Sequence, residues 1–302
     1  MKKKFVRMIC WTIAITLLCT AVWFLCAFFG NPISSALAKS TAKQHLEENY
    51  SGTDFEIERI GYDPKTGGYF AKVASPCSQD SYFTIYMDGI GRYKHDTYSS
   101  ITEGYTTFAR LDDEYRALVK SCLLSEQFDV SMDYFELRAG GYYEVFSYTD
   151  ASGEKKEYTL WKDYGLNLST LVLDGAYDIR ELGRDHGSLC LYVHDPEVSV
   201  ERAAELLLEL KDHMDAHGVP FHAVEFHLYG ARNIGSTPNY ETIYGGESIT
   251  LYEFLYNDIY EEALVDRVQQ YWNITQEHYA IQDGKKINAE LTHLEEFLIP
   301  EK

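Results

Sequence analysis

From Met8 to Phe29 the chain carries no charged residue, a run of 22 positions preceded by Lys2, Lys3, Lys4 and Arg7. As a helix it rises ~33 Å at ~1.5 Å per residue, against ~30 Å for the hydrocarbon core of a bilayer. A helix also satisfies its own backbone hydrogen bonds in lipid. Trp11 and Trp23 lie towards the two ends, where an indole suits the interface. With the basic residues ahead of the span, the positive-inside rule puts the N-terminus in the cytoplasm and the rest outside. A cleaved signal peptide is the rival reading, because Ala36-Leu37-Ala38 matches an A-x-A cleavage pattern. The apolar run exceeds the ~7–15 residues of a signal-peptide core. Ala38, Ala42, Leu46 and Tyr50 also recur every four residues, as one face of a helix starting at Pro32 or Ile33. Cleavage after Ala38 would remove the start of that helix. A single-pass anchor is therefore expected, with the lipid bilayer as partner of Met8 to Phe29. Large residues before Cys19 and Cys26 argue against lipidation.

The pattern then changes period. Asp54 to Tyr62, Tyr69 to Ala74 and Tyr82 to Tyr86 alternate as strands, and Asp63-Pro64-Lys65-Thr66-Gly67-Gly68 has turn chemistry. A helix is predicted over Ser99 to Leu124, strongest at Phe108, Leu111, Tyr115, Leu118, Val119 and Cys122. Helix, three strands and helix suggest a small α+β unit with an antiparallel sheet. A second unit starts near Met132. Phe135 and Leu137, then Tyr143, Val145 and Phe146, then Tyr158 and Leu160, suggest a meander, with Asp150-Ala151-Ser152-Gly153 as one turn.

Ser188 to His194 reads as a strand and Ser199 as a helix N-cap. Val200, Ala203, Ala204, Leu207, Leu210 and Met214 then form an apolar stripe opposite Glu201, Glu205, Glu209 and Asp212. Gly218-Val219-Pro220 stops this helix. Strands at Phe221 to Tyr229 and Ile249 to Leu255 and a helix from Asp258 to about Tyr279 follow, with a last strand near Lys286 to Leu291. That order fits a split β-α-β arrangement. Residues 231–246 read as a long surface loop and 125–131 as a linker. The expected fold class is α+β: an N-terminal transmembrane helix followed by two small α+β domains with antiparallel or mixed sheets. The expected boundaries are 1–30 for the cytoplasmic stub and anchor, 31–130 for the N-terminal domain and 131–302 for the C-terminal domain.

Charge narrows the partners. Setting the four leading cations aside leaves 23 of the 27 basic residues against 47 acidic ones, a net of −24. Such a surface repels phosphate backbones, so nucleic acid is excluded as a partner. The acidic residues are dispersed, as on a solvated surface. Three cysteines, Cys10, Cys19 and Cys26, fall in the span. Cys77, Cys122 and Cys190 fall outside, where Cys77 and Cys122 could pair in an oxidising compartment.

Histidines are the most suggestive chemistry. His186, His194, His213, His217, His222 and His227 crowd one third of the chain. His213 and His217 are four apart on a predicted helix, as metal ligands can be. The glutamate that a zincin needs after the first histidine is replaced by Met214. His222 and His227 are an odd number apart and should face opposite sides of a strand. Cys190, between Leu189 and Leu191, reads as core rather than as a nucleophile. Asp88-Gly89-Ile90-Gly91 lacks the carboxylates of a calcium loop. There are 25 tyrosines, including the Tyr142, Tyr143 and Tyr148 cluster and Tyr252, Tyr256 and Tyr260 at intervals of four. Half-buried sheets ordinarily carry such residues, though an aromatic binding surface would use the same ones. No residue is assigned as catalytic, cofactor-binding or metal-ligating.

The stretch Asn31-Pro32-Ile33-Ser34, then Ala38, Ala42, Leu46 and Tyr50, with Phe55-Glu56-Ile57, Tyr69-Phe70-Ala71-Lys72-Val73 and Asp80-Ser81-Tyr82-Phe83, resembles the N-terminal domain of YfjL-like proteins of Gram-positive bacteria. Ala203-Ala204-Glu205-Leu206-Leu207, Met214-Asp215 and Val219-Pro220-Phe221 are similar to their C-terminal domain. The resemblance implies membrane anchoring and two domains, and no catalytic residues. The leading expectation is a membrane-anchored extracytoplasmic binding or interaction protein, acting on another envelope or membrane protein, and not an enzyme. The alternatives are a cell-envelope hydrolase with a metal-dependent site at His213 and His217, and a sensory or regulatory partner of another membrane protein.

Overall fold

The structure is a computed structural model and describes residues 2–123, 130–141, 145–150, 152–160, 163–230 and 248–282. Residues 125–129 of the linker read at 125–131, the loop at 231–246 and the strand at 286–291 lie outside the described residues, while Val130 and Ser131 belong to a strand.

The first helix, α1 (Lys2–Phe29), includes the whole apolar run. It is long and apolar enough to cross a membrane, and its apolar stretch is not buried against the rest of the chain. Gly30 ends it at φ +76°, a left-handed conformation that glycine adopts without steric cost. Asn31 then caps α2 (Pro32–Asn49): its side chain accepts the Ile33 N–H at 2.8 Å, and Pro32 occupies the first turn. The Tyr69 hydroxyl accepts the Asn31 N–H at 2.8 Å and donates to the Asn31 carbonyl at 2.9 Å.

Two compact units follow from the chain's internal contacts. One comprises 1–107 with 171–175, the other 108–170 with 176–302. The first holds an antiparallel sheet of order β1-β2-β3-β4: β1 (Glu56–Asp63), β2 (Gly68–Ala74), β3 (Tyr82–Met87) and β4 (Tyr93–Asp96). Ala38 and Ala42 of α2 pack with Tyr69, Ala71, Val73, Phe83, Ile85 and Met87. This is the four-residue periodicity read as a buried face. The approach is close because the facing residues are small: a Cβ on Gly91 would lie 2.6 Å from the Ala38 nitrogen and 2.7 Å from the Ser34 carbonyl oxygen. The far end of α2 is tied down by Asp96, which takes His45 Nε2 at 2.7 Å and the Tyr50 hydroxyl at 3.0 Å. Residues 171–175 join this unit through a reciprocal pair, Asp80 N–H to Asp174 Oδ1 and Asp174 N–H to Asp80 Oδ2, each 3.0 Å.

The helix expected over Ser99 to Leu124 is broken. A short α3 (Ser99–Thr102) stops at Gly104, φ +80°, and α4 (Tyr105–Leu123) restarts. The expected meander is also not what forms. β5 (Val130–Leu137) pairs antiparallel with β8 (Gly187–Asp195), while β6 (Phe146–Thr149) and β7 (Lys155–Tyr158) make a separate hairpin. The hairpin turn is the one read from the sequence, with Asp150 Oδ1 accepting the Ser152 and Glu154 N–H groups. Between these pieces lies α5 (Ile179–His186), capped by Asp178.

β8, α6 (Val200–Ala216) and β9 (Ala223–Gly230) form a crossover in which β8 and β9 are adjacent and parallel. The β-α-β unit is therefore not split, and β10 (Ser248–Leu255) adds antiparallel to β9, giving the order β10-β9-β8-β5. Ser199 caps α6 as read, accepting the Arg202 N–H at 3.0 Å. The last helix, α7 (Leu264–Gln282), starts six residues later than Asp258. Arg267 explains the delay: its guanidinium donates to the carbonyls of Asp258, Tyr260 and Glu262 and holds them in a loop. The α+β class with antiparallel and mixed sheets is as expected.

Candidate functional site

The mixed sheet has two unlike faces. Leu189, Leu191 and Val193 of β8, Val224, Phe226 and Leu228 of β9, and Ile249, Leu251 and Phe254 of β10 are buried. They match the buried stripe of α6, at Ala203, Leu207 and Leu210. Because a strand alternates, the residues between them point the other way: Ser188, Cys190, Tyr192 and His194, then Glu225, His227 and Tyr229, then Thr250. Cys190, read as core, belongs to this polar face.

Register brings the polar residues together. Cys190 lies opposite Glu225, Tyr192 opposite His227, and His227 opposite Thr250. Tyr192 stacks on His227 with ring centroids 4.4 Å apart and an interplanar angle of 9°. His227 Nε2 is 3.0 Å from Glu225 Oε1, and its Nδ1 is 3.1 Å from Thr250 Oγ1. Burial, and then the Glu225 charge, push the Cys190 thiol up to about 12. At neutral pH it is a thiol, not the thiolate that nucleophilic attack requires.

Next to this row, β10 carries a bulge. Leu251 pairs with Phe226 and Phe254 with Val224, so Tyr252 and Glu253 both stand opposite Glu225. Glu253 has φ +45° although it is buried. Its carboxylate pairs with Arg138 Nη2 and accepts the Tyr164 hydroxyl at 2.5 Å. Burial outweighs the Arg138 attraction and leaves the Glu253 carboxyl above its usual range. Tyr164 is itself held by His186, whose Nδ1–H donates to the Tyr164 carbonyl at 2.6 Å, and by His222, stacked on its ring at 4.3 Å. This is strained backbone kept in place by a bound ion pair.

The histidines do not converge on one centre. His213 and His217 are neighbours at the end of α6, with ring centroids 4.5 Å apart. His213 Nε2 lies 3.0 Å from the Cys122 carbonyl and His217 Nδ1–H donates to the His213 carbonyl at 2.8 Å. The structure adds the Cys122 thiol, so that one ligand atom from each of Cys122, His213 and His217 lies within 4.8 Å of the others. Cys190, Glu225 and His227 form a second group meeting the same limit. Sequence reasoning missed it, although strand parity sets Cys190 apart from Leu189 and Leu191. Cys77 and Cys122 are not joined by a disulfide.

The tyrosines at intervals of four do not share a helix. Tyr252 is in β10, Tyr256 bonds Asp215 and covers Lys211 at 3.2 Å, and Tyr260 stacks on Arg267. Tyr142 and Tyr143 lie outside the described residues. Asp88 serves a turn, accepting the Ile90 and Arg92 N–H groups on Oδ1.

Comparison with known proteins gives two matches of family models: YfjL-like, N-terminal domain, over residues 2–97, and YfjL-like C-terminal domain, over residues 114–269. No curated protein and no solved structure matches the chain significantly. Together the two matched regions span most of the sequence, and the chain belongs to the YfjL-like family.

Proposed function

We propose that this protein is a membrane-anchored extracytoplasmic binding module, held by α1 and presenting the polar face of the mixed sheet to a basic segment of another envelope or membrane protein. The observation that carries the anchor is the junction at Gly30 and Asn31. Ala38 is fully buried and Ser34 nearly so, and α2 is capped before them, so cleavage after Ala38 would strip a packed helix of its cap and first turns. The four cations ahead of the span favour a cytoplasmic N-terminus. The net charge of −24 beyond it favours a basic partner. Tyr192 and Tyr229 supply aromatic contact area, and Glu225 a carboxylate.

The test is cross-linking in intact membranes with the full chain, followed by isolation at low and high salt. The reading expects a partner whose capture weakens with salt and is lost in Tyr192→Ala/Tyr229→Ala but not in Tyr86→Ala. Capture insensitive to the face variants would contradict it. A second reading, a metal-dependent envelope hydrolase, is favoured by the placement of Cys122 beside His213 and His217. If His213→Ala/His217→Ala retains the parent's zinc stoichiometry, that reading loses its support.

A further inference from the structure

We propose that Cys190, Glu225 and His227 form a three-ligand site for a zinc-class divalent metal ion, with its fourth position open on the polar face of the sheet. This goes beyond the docking role, since it needs no protein partner. The donors come from adjacent strands whose register is set by the parallel pairing of β8 and β9. Cys190 and Glu225 are direct neighbours, and His227 is two residues along β9 from Glu225, on the same side. One ligand atom from each lies within 4.8 Å of the other two, and His227 Nε2 is 3.0 Å from Glu225 Oε1. Tetrahedral zinc with nitrogen, oxygen and sulfur donors separates its ligand atoms by ~3.3–3.6 Å, from bond lengths of ~2.0–2.3 Å. Small side-chain rotations therefore suffice to admit an ion.

The donor set selects the metal class. A thiolate and an imidazole suit zinc and its neighbours, whereas calcium and magnesium take oxygen ligands. His227 is oriented for the role. Thr250 Oγ1 meets its Nδ1 at 3.1 Å, which directs Nε2 towards Glu225 and Cys190, and Tyr192 stacks along the ring. An outer-shell partner of this kind is usual for a metal-bound histidine. The thiolate and the carboxylate together offset the 2+ charge, and the thiol proton leaves to solvent on binding. Burial leaves His227 5% exposed while Cys190 and Glu225 are half-buried, so the site is walled on one side and open on the other. That is the arrangement of zinc sites that retain an exchangeable position.

The experiment uses the full chain in detergent under reducing conditions, titrated with cobalt(II) and then with zinc(II). A thiolate-to-cobalt charge-transfer band is expected. It should be lost in Cys190→Ser, retained in Cys122→Ser and displaced by zinc. Thr250→Val should keep the stoichiometry and weaken affinity ~10–100-fold, as loss of outer-shell partners does. Should Cys190→Ser fail to fold, the parent chain still decides the matter: zinc is expected to slow alkylation of Cys190, followed by mass spectrometry, and leave the exposed Cys77 unchanged. The proposal is overturned if the parent binds no cobalt, if the band survives Cys190→Ser, or if Cys190 is alkylated equally fast with zinc. Failure of metal binding with salt-sensitive partner capture intact would overturn the metal site and leave the docking face standing.

Discussion

Gly91 shows how one residue governs a packing distance. Its φ of +83° and the absence of a Cβ let the turn before β4 approach the backbone of α2. Gly91→Ala would force a methyl against Ala38 and Ser34 in an unfavourable conformation. A loss of ~3 kcal/mol is expected in denaturant unfolding, from overpacking together with backbone strain. Arg138 is the second such residue. Arg138→Ala would leave Glu253, whose side chain is 2% exposed, as an uncompensated carboxylate. Removing one partner of a buried pair costs about 3–5 kcal/mol, whereas Arg138→Lys should recover part of the stability. Equal stability of Arg138→Ala and the parent would show that the pair is not needed to hold the β10 bulge.

At the element scale, the α1–α2 junction rests on the two bonds of the Tyr69 hydroxyl. Tyr69→Phe should cost ~1–2 kcal/mol and speed amide exchange at Asn31, and unchanged exchange would contradict that role. α7 supplies the pH dependence. His278 is buried beside Phe146, and its Nδ1 lies 3.1 Å from the Tyr158 hydroxyl. Burial lowers its pKa, so the folded state binds its proton less readily than the unfolded state, which titrates near ~6.5. Stability is then full above that value and falls as pH drops below it. His278→Gln should flatten the fall in melting temperature between pH 7 and pH 5, a fall to which His222, shifted the same way, also contributes. An unchanged slope would remove His278 from the account.

The elements legible in the sequence are those with long, one-sided periodicity. α2 and α6 show a buried face in their spacing, and β8 and β9 alternate, with Leu189, Leu191 and Val193 and then Val224, Phe226 and Leu228 buried. What stayed hidden has physical reasons. α5 has only one buried residue, Gly183, and so no stripe to read. β4 is exposed at Tyr93, Lys94 and His95, so alternation carries no signal there. The pairing of β5 with β8 joins residues 50 or more apart in sequence, which periodicity does not encode. The same limit hid half of the site. His213 and His217 were readable from a four-residue spacing, whereas Cys122 reaches them, and Glu225 reaches Cys190, only through tertiary register.

On the scale of the whole molecule, the proposed anchor rests on α2, which is packed from its first turn, so that loss of the apolar run by cleavage after Ala38 would also remove the cap and buried residues of that helix. Under the proposed anchoring, binding by the polar face, whether to a basic partner or to a metal ion, would take place at a membrane surface. The most direct test is the N-terminus of the mature protein, read by mass spectrometry from the membrane fraction. The account predicts peptides that contain the α1–α2 junction, with Gly30, Asn31 and Pro32 in unbroken sequence. A mature chain beginning at Lys39 and released from the membrane would contradict it.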